Sequence, residues 1–392
     1  MKRSLTSEML TELRSRVTRF VREAVIPAEA ELTGHEVTEQ LRKRLQEGAR
    51  ERGVFAPHVA EEFGGVGLSA SGQAVIFEEA GYSLLGPLAI NAAAPDEGNM
   101  HMLEHIATDS QRERYLRPLA MGEVRSCFAM TEPAPGAGSD PAALRTEATR
   151  TAEGWAINGR KWFTTGSKGA AFAIVMARTS PIEGRKGATM FLVDTTNPGW
   201  RPVRHVPTLD GAFVGGHGEI DLVDCEVGDD AVLGVVDHGF EYAQVRLGPA
   251  RLTHCMRWLG IARRSQDIAI DVVRDRQLFG SQLGNLGMAQ QMIADNEIDM
   301  AASRQLIRHA AEELDKGSSA RNETSIAKTF VAEAVNRVVD RAIQLCGGRG
   351  VSHDLPLGRY LNEIRAFRIY DGPSEVHRWA IARRALRNAD RG

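Results

Sequence analysis

The sequence predicts three parts in chain order: helical, then β, then helical. Three observations carry this prediction. Residues 1–125 place apolar side chains at helical spacing in a background rich in Leu, Glu, Arg and Ala. Residues 126–240 switch to short apolar runs divided by turn residues. Residues 241–392 return to helical spacing, broken mainly at glycines. A chain of 392 residues has room for two or three domains and a large core without disulfides or metal.

In the first part, an N-terminal all-α domain, two stretches interrupt the helices: Phe63-Gly64-Gly65-Val66-Gly67 and the Pro/Asn/Asp-containing run from Pro87 to Asn99. In the second, Gly154 marks a turn, and Trp155-Ala156-Ile157 runs into Asn158-Gly159. Asn-Gly is the pair favoured in two-residue hairpins, because a type I′ turn needs positive φ at both positions. Further strands are expected over 171–177, 189–193 and 219–224, which makes this a β-barrel or sandwich domain. In the third, Leu252, Met256 and Leu259 share one helix face, and Ile326, Phe330, Ala334, Val338 and Ala342 keep helical spacing. Gly284, Gly317 and Gly347-Gly348 then divide four long helices, the pattern of a four-helix bundle.

Composition narrows the function classes. Lys and Arg total 48 against 51 Asp and Glu, so the basic excess of a nucleic-acid-binding protein is missing. Cys127, Cys225, Cys255 and Cys346 are widely spaced and form no Cys-x-x-Cys pair, which fits a reducing compartment and gives no zinc signature. Met1-Lys2-Arg3 is followed by Ser, Thr and Glu rather than by an apolar signal core. The longest apolar run, near 170–177, falls well short of the ~20 residues a membrane span needs. The expectation is a soluble cytoplasmic protein with no membrane span.

Generic motifs are absent: no phosphate-binding Gly-rich loop ending in Lys-Ser/Thr, no His-Glu-x-x-His, and no dinucleotide-binding glycine fingerprint. His353 has no second ligand at metal spacing, so no metal site is expected. Taken singly, His205, His217 and His254 read as structural histidines and Trp162 as a core aromatic. Arg276 alone reads as a solvated helix charge, Gly347-Gly348 as a helix terminus, and Asp371-Gly372-Pro373 as an ordinary turn.

Five segments in order change that reading. They are Met130-Thr131-Glu132-Pro133 through Gly138-Ser139-Asp140; Asn158-Gly159-Arg160-Lys161-Trp162-Phe163-Thr164; Arg276-Gln277-Leu278-Phe279-Gly280; Gln344-Leu345-Cys346-Gly347-Gly348; and Tyr370-Asp371-Gly372-Pro373. Together with Glu62-Phe63-Gly64-Gly65 and His217-Gly218-Glu219-Ile220, they resemble the acyl-CoA dehydrogenase family over the whole chain. The likeness is greatest to the eukaryotic family members ten and eleven. It is carried by Ala94-Pro95-Asp96-Glu97-Gly98-Asn99-Met100, Gly248-Pro249-Ala250-Arg251, His254-Cys255-Met256-Arg257 and Asp371-Gly372-Pro373-Ser374-Glu375-Val376-His377. Those proteins carry a kinase-like part ahead of the dehydrogenase. Here the pattern starts almost at Met1, so the dehydrogenase part alone is expected.

The resemblance implies FAD, bound noncovalently between the β domain and the bundle. Phe128, Met130, Thr131 and Ser139 would run along the flavin, and Trp162, Phe163 and Thr164 would cover it; a broad aromatic beside a hydroxyl suits a planar ring with polar edges. Pro373, Ser374 and Glu375 match further cofactor-contacting positions. Arg276, Phe279, Gln344, Gly347 and Gly348 match positions that hold the pyrophosphate and adenosine of a neighbouring subunit's FAD. Arg offers a planar fork for pyrophosphate. A homodimer or homotetramer is therefore implied. For the acyl-CoA substrate, Ser139, Gly248, Arg251 and Gly372 match binding positions. Electrons would pass to an electron-transferring flavoprotein, in fatty acid metabolism.

The family reaction removes an α-proton from an acyl thioester while the β-hydrogen leaves as hydride. The base is usually Glu; the matching residue here is Asp371, as in members ten and eleven. The other base position seen in the family falls on Ala250, which cannot serve, and Glu375 is the nearest competing carboxylate. Two departures stand out: the extra Ala134-Pro135 before Gly136, and Gly287 where a Gln is common. Two other readings share the fold, a flavin oxidase of small carbon acids such as nitroalkanes and a scaffold that has lost catalysis.

Overall fold

A computed structural model describes residues 5–32, 37–138, 140–181, 187–211 and 214–389. The first part contributes α1 (Ser7–Phe20), α2 (Glu39–Glu51), α3 (Ala70–Ala80) and α4 (Asp96–Ile106), with short helical turns between them. Thr6, Thr38 and Ser69 cap the first three helices by accepting backbone N–H groups with their side-chain oxygens. The interruption at 63–67 is a real chain reversal, with Gly64 in the left-handed region. The second interruption ends earlier than its composition suggests, because α4 already starts at Asp96.

The middle part is one sheet built from β1 (Ser126–Ala129), β2 (Glu147–Arg150), β3 (Trp155–Thr165), β4 (Phe172–Arg178), β5 (Ala188–Asp194), β6 (Trp200–His205), β7 (His217–Val227) and β8 (Val232–Leu233). Its order is β6-β7-β3-β2-β4-β5-β8, with β1 parallel to β4. The strands expected over 171–177, 189–193 and 219–224 lie within β4, β5 and β7. The Asn158-Gly159 hairpin is not found. Both residues lie inside β3, at a register shift against β7, and the reversal into β3 is made by Thr151 and Gly154. Gly159 is required there for another reason: a Cβ would sit 2.5 Å from Thr146 Oγ1, and Asn158 spends its amide on Asp224. The local chemistry of a bulge imitated that of a turn.

The third part holds α5 (Gly239–Asp275), α6 (Gly287–Asp315), α7 (Arg321–Cys346), α8 (Leu357–Arg365) and α9 (Ser374–Ala389). Leu252, Met256 and Leu259 are buried as expected. On α7, Ala334, Val338 and Ala342 are buried, whereas Ile326 and Phe330 are half-buried. Four-residue steps advance about 400° around a helix, so such a row spirals off the core face. The buried face continues instead through Ala327, Val331 and Val335. One apolar core joins α1–α4, the inner side of the sheet and the bundle, so the parts are locked together around the site. Among the described residues, no helix is long and apolar enough to cross a membrane.

Candidate active site

The loop between α8 and α9 carries Asp371. Its backbone is left-handed at Asp371 (φ +54°) and at Gly372 (φ +100°). A Cβ on Gly372 would lie 2.8 Å from His377 Nε2, so glycine is required by space as well as by φ. Three side chains from three elements hold the loop's carbonyls. Arg251 Nε of α5 donates to Asp371 O at 2.7 Å, Lys328 Nζ of α7 donates to Gly372 O at 2.6 Å, and His377 Nε2 of α9 lies 3.2 Å from Asp371 O. A non-glycine residue at positive φ costs of order 1–3 kcal/mol and persists only where its surroundings enforce it. Here they do.

Electrostatics follow from burial. Burial lowers Lys328 to about 8. Burial, then the charges of Arg251 and Lys328, lower His377 to about 4, so His377 is neutral at pH 7. The Asp371 side chain is 16% exposed and its Oδ2 faces His254 Nε2 at 3.3 Å. That approach lacks hydrogen-bond alignment, which leaves Oδ2 buried without a formed bond. His254 borders a cavity, together with Leu84, Pro87, Leu88, Trp258 and Ile261. His254 thus stands between the Asp371 carboxylate and this cavity, whose surface is mostly apolar.

The β domain presents a second surface. Thr131 O accepts the Trp162 N–H at 3.0 Å, which fastens the segment after β1 to β3. Phe163 stands edge-on to Trp162 with centroids 4.9 Å apart and is 41% exposed. Thr164 is fully buried, and its Oγ1 has no hydrogen-bond partner. Phe128 and Met130 are half-buried, and the Arg246 guanidinium lies 4.1 Å from the Phe128 ring centre. An orphan hydroxyl beside a half-exposed indole fits a flat ligand with polar edges, and a flavin meets both needs. Ser139 lies outside the described residues.

Beneath this surface is a pair that motif reading passed over. Glu132 accepts from Ala137 N, Arg145 N, Thr146 N, Thr146 Oγ1 and Lys161 Nζ, at 2.6–3.2 Å. Burial opposes its charge, yet Lys161 and these donors hold its carboxyl well below the usual carboxylate range. Lys161 is fully buried and also reaches Met130 O. The loop with the extra Ala134-Pro135 is thereby closed on itself, with Glu132 N donating to Ala137 O at 2.7 Å. The insertion bulges outward, at exposed positions.

The far end of the bundle collects the remaining residues. Arg276 follows α5, and its guanidinium lies so near Gly347 that a Cβ there would meet Nη1 at 2.7 Å. Arg276, Gln344 and Gly348 are exposed, and Phe279 is 91% exposed. Glu375 is exposed on the first turn of α9, with Ser374 buried and Pro373 half-buried beside it. Ala250 is buried. At Gly248 a Cβ would meet nothing within 4 Å, so α5 has open space there. Arg251, expected as a substrate contact, turns its Nε to the Asp371 loop. His254, read alone as a structural histidine, stands against the candidate base. Away from these sites, His101, Glu104 and His105 converge on α4, where His105 is engaged with His101 O and Glu104 with Ala60 N.

Family models for the acyl-CoA dehydrogenase N-terminal, middle and C-terminal domains match residues 7–123, 127–225 and 237–386. The chain is also 38% identical to the probable acyl-CoA dehydrogenase FadE2 of Mycobacterium tuberculosis, over 96% of this chain and 95% of that one. The chain belongs to the acyl-CoA dehydrogenase family. It is 35% identical to acyl-CoA dehydrogenase family member 11 of Gallus gallus, over 95% of its own length but only 50% of that protein's. The chain therefore spans about half the length of that longer relative. Among solved structures, a putative acyl-CoA dehydrogenase from Mycobacterium abscessus superposes with a TM-score of 0.91 at 34% identity, covering 98% of this chain and all of that one.

Proposed function

We propose that the protein is an FAD-dependent acyl-CoA dehydrogenase in which Asp371 takes the α-proton of an acyl thioester. The observation that carries this reading is a carboxylate on a loop pinned by Arg251, Lys328 and His377 and facing His254, which itself borders a mostly apolar cavity. Thr131, Trp162 and Thr164 would hold the ring of FAD, which would supply the hydride acceptor for the β-hydrogen, with an electron-transferring flavoprotein as the electron acceptor. Leu84, Pro87, Leu88 and Ile261 would enclose the acyl chain and keep water from the reacting carbons. Asp371 is one methylene shorter than Glu, so the fixed loop must supply its reach. Holding the base in place before reaction lowers the ordering cost of proton transfer. The Gly372 N–H would face the thioester carbonyl as charge develops there.

Arg276, Phe279, Gln344, Gly347 and Gly348 would serve the cofactor of a neighbouring copy. Arg251 and Arg276 lie 25 residues apart along α5, or roughly 37 Å at 1.5 Å per residue, too far for one cofactor whose ring meets Asp371. This reading calls for a homodimer or homotetramer. The test is anaerobic bleaching of the flavin by a panel of acyl-CoA thioesters, repeated with Asp371→Asn. Bleaching by the wild type and none by the variant supports the reading. Oxygen consumption with a nitroalkane, and no response to any acyl-CoA, would replace it with the oxidase.

A further inference from the structure

His254 lies one turn before Arg257 and Trp258 on α5, and is 7% exposed. Its two ring nitrogens have different neighbours. Arg257 Nη2 lies 3.1 Å from Nδ1, and arginine can only donate. Tyr370 Oη lies 3.3 Å from the same nitrogen and already accepts the Trp258 Nε1–H at 2.6 Å, so its own hydrogen is free for His254. With two donors aimed at Nδ1, the neutral ring carries its hydrogen on Nε2. That nitrogen faces Asp371 Oδ2 at 3.3 Å. The arrangement is braced from behind: Arg257 Nη1 donates to Ala92 O at 2.8 Å and reaches Glu97 Oε2 at 3.4 Å, and Thr253 Oγ1 donates to Glu97 at 2.9 Å.

We propose that His254 is a positioning residue: its Nε2–H, 3.3 Å from Asp371 Oδ2 but not yet aligned on it, forms a hydrogen bond to the carboxylate when that side chain turns to meet the substrate, and so fixes and steadies the carboxylate for proton abstraction. The inference rests on the reading of Asp371 as the base. His254 is a donor and not a carrier of protons, because burial, then Arg257, Arg246 and Lys328, hold its pKa well below the usual range. The other groups facing the pair are Arg246, Arg251 and Arg257 from α5, Lys328 from α7, His377 from α9, Tyr370 from the loop and Glu97 from α4. Asp210 acts through Tyr370. The arginines stay charged throughout, Lys328 loses its proton only near 8, and His377 gains one only near 4.

Two variants separate the donor from the packing. His254→Gln places an amide N–H where Nε2 stood. His254→Asn keeps a polar atom near Nδ1 for Arg257 and Tyr370 but has nothing at the Nε2 position. The experiment follows the rate of anaerobic flavin reduction by a saturating acyl-CoA against pH in the flavin-loaded protein. In His254→Asn the acid limb moves up by about one pH unit, the size of a lost hydrogen bond to a charged group, and His254→Gln restores it. An unmoved limb in His254→Asn, or equal loss of plateau rate in both variants without a shift, overturns the proposal. Asp371→Asn runs alongside: full bleaching there sinks the base assignment itself, whereas no bleaching with an unmoved His254→Asn limb sinks this inference alone. Should His254→Asn lose its flavin, nitrogen NMR of the labelled wild type decides the matter. The Nε2–H tautomer at pH 7 supports the inference, and the Nδ1–H tautomer overturns it.

Discussion

The two ends of α5 are built in opposite ways. Around Arg251 and His254 nearly every polar atom is engaged within the chain: the Asp371 and Gly372 carbonyls have donors, and the flanking histidines are buried. Around Arg276 the residues that the family resemblance marks are turned to solvent, with Phe279 almost wholly exposed and Gln344 and Gly348 open beside it. One end is enclosed and the other is open to solvent. An exposed aromatic on a left-handed residue next to an arginine and two glycines has little to contribute to this chain's own packing. On the proposed reading, a single chain would carry the proton-abstraction centre whole and the cofactor seat only in part.

The contrast can be broken at its enclosed end first. Asp371→Asn is expected to slow flavin reduction by acyl-CoA about 10²–10⁴-fold, the usual worth of a positioned general base, with little change in flavin content. Stopped-flow bleaching measures this. Glu132→Ala should cost about 3–5 kcal/mol of stability, because it leaves the fully buried Lys161 charge unpaired. Denaturant unfolding and flavin retention report that loss, and an effect below 1 kcal/mol would mean that the pair does not hold the loop. At the open end, Arg276→Glu is expected to lower flavin occupancy several-fold while leaving the melting curve of the flavin-free protein almost unchanged. A large loss of stability in the flavin-free protein would make Arg276 a structural residue.

The smallest effect is a pH dependence. His377 has a folded pKa of about 4, below its unfolded value near 6.5. Between these values the unfolded chain binds the proton that the folded one refuses, so this contribution to stability is fully present above about pH 6.5 and is lost as the pH falls toward 4. Chemical denaturation at pH 7 and pH 5 measures it. His377→Gln should flatten the slope.

Much of this was legible in the sequence, and the exceptions share a cause. The order of helical and β segments follows from periodicity, which is local. Asp371 was singled out only through the resemblance carried by five segments in order, since Asp371-Gly372-Pro373 alone reads as a turn. The Glu132–Lys161 pair, the grip of Arg251 and Lys328 on the loop, and the contact of His254 with Asp371 join residues 29 to 120 positions apart. No spacing rule encodes such contacts, because they exist only once helix and sheet have packed. Asn158-Gly159 misled for the converse reason: its chemistry suits a turn, but Thr146 behind it demanded glycine in a strand.

The central claim is that each reaction centre takes Asp371 from one chain and Arg276 from another. It is tested most directly by co-assembling Asp371→Asn and Arg276→Glu chains at an FAD concentration low enough that Arg276→Glu alone holds no flavin. Random pairing into dimers gives half mixed dimers, each with one of its two sites intact, so about a quarter of wild-type activity should return. Mixed protein as inactive as the parent variants would place both residues at one site of one chain and contradict the account.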